Sequence, residues 1–187
     1  MKNILLILLA AFVFIGCTQK LETSVHPYLT LNQNETQDIK VNFLGVNDQR
    51  DTKIVSRTLD GFKVENEYPL NIDVKKWYTQ ALIKEFKNAD MITANEKPDI
   101  KLLVNIKKIS AVYTNDNFDT KNLKANIRLE LVIKIGDEII TSNIQNKQTL
   151  YKTIVFDAES FEPIVNEIMK DSVSKTVAIA IEKLKGQ

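Results

Sequence analysis

The sequence predicts an α+β fold, a two-layer sandwich in which two amphipathic helices pack on one face of a largely antiparallel sheet of about five strands. Two observations carry this prediction. Several segments alternate apolar and polar residues with the period of two that is typical of strands, and two others place apolar residues at helical spacing. Their order is three strands, of which the third is weak, then a helix, three more strands and a second helix.

In the first half of the domain, the first strand alternates apolar and polar residues and ends at a polar cluster. The helix that follows the weak third strand has apolar residues every three or four positions, and Asn71 or Asp73 is placed to cap its first turn. The predicted elements are strands at residues 39–46, 53–59 and 62–68 and a helix at 72–88.

In the second half, Pro98 precedes a strand that alternates from Ile100 to Ile106 and continues to Lys108. Gly136-Asp137 then forms a tight hairpin turn, and Ser160 is placed to cap the last helix. The predicted elements are strands at residues 100–113, 123–135 and 138–151 and a helix of about six turns at 161–184.

The strand at residues 123–135 has the clearest pattern, because nearly all its apolar residues share one parity. We therefore expect Ile127, Leu129 and Leu131 to point at the helices and Arg128 and Glu130 to face water. The strand after it, Glu138–Tyr151, is polar for its length, so it is either an edge strand or half covered. Such an edge is open to two interpretations, a docking site for another chain or an edge whose polar residues discourage pairing.

The N-terminus carries a lysine and about a dozen apolar residues that end in Phe14-Ile15-Gly16-Cys17. This run is shorter than the ~20 residues that cross a bilayer, and Cys17 is the only cysteine. A charged start, an apolar stretch and a small residue at the cleavage point form a secretory signal. An ordinary signal with an incidental cysteine and a membrane-spanning anchor are the alternatives.

The same segment resembles the bacterial lipoprotein signal, with Phe14 where leucine is usual. The resemblance implies cleavage after Gly16 and acylation of Cys17, so that the membrane is a partner through acyl chains, at ~0.8 kcal/mol per buried methylene. Thr18 stands where signals for inner-membrane retention usually have aspartate. The resemblance thus implies an outer-membrane lipoprotein that faces the periplasm.

Three regions follow from this division. Residues 1–16 are the signal peptide, residues 17–37 are the lipidated N-terminus and a flexible tether, and residues 38–187 form a single periplasmic domain. The tether is polar and shows no apolar period. The formal net charge is +1, and lysines and carboxylates are interspersed. This lack of a basic face argues against nucleic acid as a partner.

The first strand ends in Val46-Asn47-Asp48-Gln49-Arg50, which resembles the YajG family of bacterial envelope lipoproteins. The order of the later elements matches that family over nearly all of the mature domain. The resemblance implies an envelope lipoprotein with no established activity and no catalytic residues. Asp48, Arg50 and Asp51 are the most suggestive polar group, and two roles are open to them. One role is structural: an aspartate accepts hydrogen bonds from turn amides, and the arginine forks to a carboxylate. The other role is contact with a ligand or partner.

The sequence offers no catalytic arrangement. Its single histidine, His26, lies in the tether, and Cys17 is committed to acylation, so neither serves a nucleophilic site. Asn115, Asn117 and Asp119 resemble the start of a calcium loop, but the turn glycine and the bidentate glutamate of such a loop are missing. We therefore expect a protein that is not an enzyme, with no metal and no cofactor.

The function predicted from the sequence is an interaction or scaffolding role for a lipid-anchored periplasmic domain, with an envelope protein as partner. The alternative is a small binding module for an apolar or cell-wall ligand. That module would hold its ligand between the helices and the sheet, in a cavity lined by residues such as Trp77, Phe86 and Phe161.

Overall fold

A computed structural model describes residues 39–61, 63–92, 98–116, 120–151, 155 and 157–185. The signal, the tether and their residues Gly16, Cys17 and His26 lie outside these ranges, so the predictions made for them stay predictions. The described strands are β1 (Asn42–Asp48), β2 (Ile54–Asp60), β3 (Lys63–Pro69), β4 (Ile100–Asp116), β5 (Thr120–Ile135) and β6 (Glu138–Tyr151). The helices are α1 (Val74–Asn88) and α2 (Glu162–Lys185), the latter entered through a short 3₁₀ turn at Glu159–Phe161.

The strands form one mixed sheet with the order β3-β2-β4-β5-β6, and β1 pairs with β4 beside β2. β2–β3, β4–β5 and β5–β6 are antiparallel, whereas β1 and β2 both run parallel to β4. The α+β prediction is confirmed, but the described sheet has six strands, not five. The sixth is β3, whose pattern was weak because almost all of its side chains are exposed and no face of it alternates with a buried one.

β4 contains a bulge that reverses which of its faces is buried. The register with β5 shifts between Ile106 and Lys108, so Lys107 is an extra residue. The buried apolar positions are even-numbered up to Ile106 and then odd-numbered from Ile109. The alternation seen in the sequence from Ile100 to Lys108 is therefore broken at the bulge, and Lys107 and Lys108 both stay out of the core.

Both helices pack against the buried face of the sheet, α1 beside β1 and α2 across β5 and β6. Asp73 caps α1, accepting a hydrogen bond from Lys76 N at 2.9 Å. Ahead of α2, Ser160 N and Oγ both donate to Asp157 Oδ1, at 3.0 and 2.9 Å. The Tyr78 hydroxyl lies 2.8 Å from Ser172 Oγ and joins the two helices inside the core, where burial raises the pKa of the tyrosine.

The centre of the core is the face of β5 that the alternation predicted. Ile127, Leu129 and Leu131 are fully buried, and Arg128 is exposed. Glu130 differs from the prediction, because it is only partly exposed and contacts β4. No helix within the described ranges combines the length and the apolar character needed to cross a membrane.

Candidate functional site

The turn that follows β1 is held by its own side chains. Arg50 Nε and Nη2 donate to Asp48 Oδ1 and Oδ2 at 2.8 and 2.7 Å, and Arg50 N also donates to Asp48 Oδ1. Gln49 N donates to Ile106 O at 2.9 Å, which continues the β1–β4 pairing by one residue. The Arg50 fork holds the pKa of Asp48 below its usual value. These contacts give Asp48 and Arg50 a structural role; contact with a partner stays a prediction for them.

A second polar network ties this turn to the sheet. Lys107 Nζ, on the bulge of β4, donates to Gln49 Oε1 at 2.7 Å and lies 3.2 Å from Glu130 Oε2. Asn105 Nδ2 also donates to Glu130 Oε2 at 2.6 Å, and this bond, followed by Lys107, lowers the pKa of Glu130. The sequence showed Glu130 only as a surface residue, since alternation along β5 carries no signal of partners on β4.

A cavity of about 240 Å³ lies where β1 has ended and β2 has not begun. β1 pairs with β4 as far as Ile106, and β2 pairs with it from Ala111 onward. Along this edge, residues 107–110 of β4 therefore have no paired strand among the described residues. Residues 50–52 of the turn between β1 and β2 line the cavity, and Val55 and Ile109 line it from the apolar side.

The polar wall of the cavity is mainly cationic, with Asp51 as the one carboxylate among the described lining residues. The lining cations are Arg50, Arg57, Lys107, Lys108 and Arg128. Arg57 Nε lies 2.7 Å from Glu67 Oε1, an ion pair whose approach is too bent for a hydrogen bond. Lys108 and Arg128 sit directly opposite each other in the β4–β5 register, and both are exposed. Within the described ranges, neither of these two forms an ion pair.

The residues that the sequence assigned to an apolar cavity do not line this one. Phe86 and Phe161 are fully buried and make ring contacts with Phe43 and Tyr68, with centroids 5.4 and 5.9 Å apart. Trp77 is half-buried and packs against the core. Asn115 closes the pairing of β4 with β2, and the other two residues of the calcium-like segment lie outside the described ranges. The described residues contain no group of three or more metal-ligating side chains.

Comparison with known proteins identifies the fold. A scan of protein-family models finds no match, and neither does a search of curated proteins. Among solved structures, a Xanthomonas campestris protein of family-model DUF330 matches with a TM-score of 0.60 at 9% identity, over 88% of this chain and 95% of its own. The two chains share a fold. The YajG resemblance is not confirmed by these comparisons.

Two further structures are more distant. Rare lipoprotein B from Shewanella oneidensis matches with a TM-score of 0.45 at 12% identity, over 77% of this chain and 99% of its own. A minor lipoprotein from Acinetobacter baumannii matches with a TM-score of 0.37 at 6% identity, over 71% and 90%. Scores this low carry no argument about the function of this chain.

Proposed function

We propose that this chain is a lipoprotein of the bacterial outer membrane, anchored by acyl groups on Cys17, and that its periplasmic domain works by binding a strand of another envelope protein. The lysine, the apolar run and Gly16-Cys17 support the anchor. The resemblance of the chain to YajG-family lipoproteins, from the first strand onward, also supports it. The domain has a non-enzymatic role.

The free edge of β6 is the observation that carries the docking role. Within the described part of the chain, β6 pairs with β5 alone, in a register without shifts over its 14 residues. A long unbulged edge presents a row of backbone donors and acceptors to which another strand can add. Lys175 Nζ covers one of these groups, the carbonyl of Gln145, at 2.9 Å.

The side chains of β6 add apolar contact area at both ends of this edge. Five large apolar residues are exposed in the described ranges, and three of them, Ile139, Leu150 and Tyr151, belong to β6. Tyr151 is 74% exposed. β3, at the other edge of the sheet, is protected by charged side chains, a terminal proline and two register shifts in its pairing with β2. Only one lysine, Lys147, stands on β6.

The docking role is tested by site-specific photocrosslinking of the full-length lipoprotein in intact cells. A crosslinker at Asn143 of β6 should give one discrete protein adduct, and a crosslinker at Glu65 of β3 should not. Thr141→Lys places a charge on the β6 edge and should remove that adduct, whereas Val64→Lys on β3 should leave it unchanged. Equal adducts from both edges, or a crosslink from Asn143 to residues 18–37 of the same chain, would refute a docking role for β6.

The anchor is tested separately by Cys17→Ser. The expected result is an uncleaved precursor that takes up no labelled fatty acid, because the thiol that receives the lipid is gone. The parent chain should fractionate with the outer membrane in the same gradient. Unchanged processing and membrane association in the variant would show that the lipoprotein assignment is wrong.

A further inference from the structure

We infer that the cavity between β1 and β2 is a binding site for a phosphate group, held by Arg50, Lys108 and Arg128. This inference goes beyond the docking role of β6 and rests on different residues. Three observations support it: a buried arginine with a donor to spare, two like charges placed opposite each other, and a cavity that suits a small group.

Arg50 supplies the first observation. Its side chain is only 8% exposed, and two of its nitrogens are used by Asp48. The third, Nη1, is buried and has no hydrogen-bond partner among the described residues. A buried guanidinium nitrogen without an acceptor is unfavourable, since buried polar groups are normally paired. Arg50 also lines the cavity, so a small movement of the guanidinium would bring this unused donor to an oxyanion bound there.

Lys108 and Arg128 supply the second observation. Their Cα atoms are direct partners in the β4–β5 ladder, and like charges at such positions destabilise a sheet. A second like-charge pair, Lys101 opposite Lys134, stands on the same ladder but outside the cavity. Both cations line the cavity, and neither has a carboxylate partner within the described ranges. An anion between them converts a repulsive pair into two attractive contacts.

Size and shape favour phosphate over larger ligands. The cavity, at about 240 Å³, is smaller than the ~300–1,000 Å³ of pockets that enclose drug-sized ligands. The three cations reach it from separate elements, the β1–β2 turn, β4 and β5. Thr52 and Ser110 add hydroxyl groups to the lining. Two sources share this chemistry, free phosphate and the phosphodiester of a lipid headgroup.

Asp51 is the local competitor for the same cations. It is exposed and lines the cavity. Its carboxylate forms no ion pair in the described ranges, so it does not neutralise Lys108 or Arg128. Asp51 nevertheless adds a negative charge where the phosphate would sit. Asp51→Asn is therefore expected to tighten phosphate binding severalfold, because it removes a repulsion and leaves the shape of the turn.

The test is calorimetric titration of the full-length chain, purified in a neutral detergent, with two probes. One probe is inorganic phosphate and the other is glycerophosphoglycerol, the water-soluble headgroup diester. Sodium chloride holds the ionic strength constant, so that chloride competes in every titration. We expect saturable binding at one site. Lys108→Gln and Arg128→Gln should each weaken it about tenfold or more, as the loss of a charge-assisted hydrogen bond does.

Lys134→Gln is the matched control, because Lys134 is exposed on the same face of β5 but outside the cavity. It should leave binding unchanged. Thermal melts without phosphate should show Lys108→Gln and Arg128→Gln to be no less stable than the parent, since each relieves a repulsion. Binding of both probes identifies a headgroup site, and binding of inorganic phosphate alone identifies a free-phosphate site. No saturable binding of either probe, or equal weakening by Lys134→Gln, would overturn the inference.

Discussion

The two sides of β4 are built in different ways. On one side β5 pairs with it along its whole length, from Ile100 opposite Ile135 to Asp116 opposite Thr120, with a single register shift. On the other side two shorter strands share the edge, β1 up to Ile106 and β2 from Ala111. Between them lies the cationic cavity. One strand thus belongs both to the most regular and to the most interrupted part of the sheet.

The β5 side of the sheet stabilises the domain, whereas the β1–β2 side provides the groups that line the cavity. The β5 side buries one continuous apolar face against α2. On the β1–β2 side, the pairing with β4 shifts once, at Gly45, whose φ of +119° favours glycine, and the β2–β3 pairing beyond it shifts twice more. Interrupted pairing leaves β4 groups available to a turn and to side chains.

Leu129→Ala on the β5 side should destabilise the domain most. Leu129 is fully buried in the core, so the substitution removes transfer free energy and leaves a cavity, at a cost of about 2–5 kcal/mol in the free energy of unfolding. Denaturant unfolding measures it. Lys134→Ala, at an exposed position of the same strand, should cost less than about 0.5 kcal/mol. Equal effects would mean that the buried face of β5 has been misassigned.

Asp48→Asn on the β1–β2 side should lower the free energy of unfolding by less, about 1–3 kcal/mol, because it leaves Arg50 buried without its carboxylate. The loss should depend on pH. The pKa of Asp48 is lowered in the folded state from its usual 3.8, so its contribution is present above that value and is lost as the pH falls through the lower folded value. Parent and variant should therefore converge in strong acid when unfolding is followed across pH.

Asp60→Asn is the control for this pH dependence, since Asp60 is exposed at the end of β2. It should leave the acid limb of the stability profile as in the parent. A parent–Asp48→Asn difference that stays constant down to strong acid would show that the ion pair with Arg50 does not stabilise the turn.

The same contrast explains what the sequence predicted and what it did not. Along β5 the period-two pattern is uninterrupted, so the buried positions and the β5–β6 hairpin followed from alternation and from Gly136 alone. Along β4 the bulge at Lys107 changes the parity of the buried apolar residues midway along the strand, and no residue type predicts a bulge. The alternating pattern of β3 was weak because β3 is an edge strand whose side chains are almost all exposed. Local patterns record which face is buried; they do not record which strand lies beside another.

The residues of the candidate site also divide into those that the sequence revealed and those that it did not. Asp48, Arg50 and Asp51 stood out because they share one turn, and Arg50 and Asp51 line the cavity. Lys108 and Arg128 gave no such signal, because they are 20 positions apart and meet only through the β4–β5 register. The cavity itself arises from the parallel placement of β1 and β2 on one edge of β4. That topology depends on pairing between distant segments, which periodicity cannot show.

Glu130→Ala should have the smallest of these effects, about 0.5–1.5 kcal/mol, and it tests whether the two sides of β4 communicate. Glu130 stands on β5 but accepts from Asn105 and pairs with Lys107, which in turn holds Gln49 of the β1–β2 turn. Removing a half-buried hydrogen bond to a charged group lowers the free energy of unfolding more than removing a free surface group does. The loss should therefore exceed the one expected for a residue that faces water.

A double-mutant cycle with Lys107→Ala measures this connection directly. The coupling energy between Glu130 and Lys107 should be about 0.5 kcal/mol or more, as for contacting residues in one network. It should fall as the pH drops, because the pKa of Glu130 is lowered from 4.5 and its stabilising charge is lost only below that value. Zero coupling at neutral pH would mean that the regular side of the sheet and the interrupted side are energetically separate.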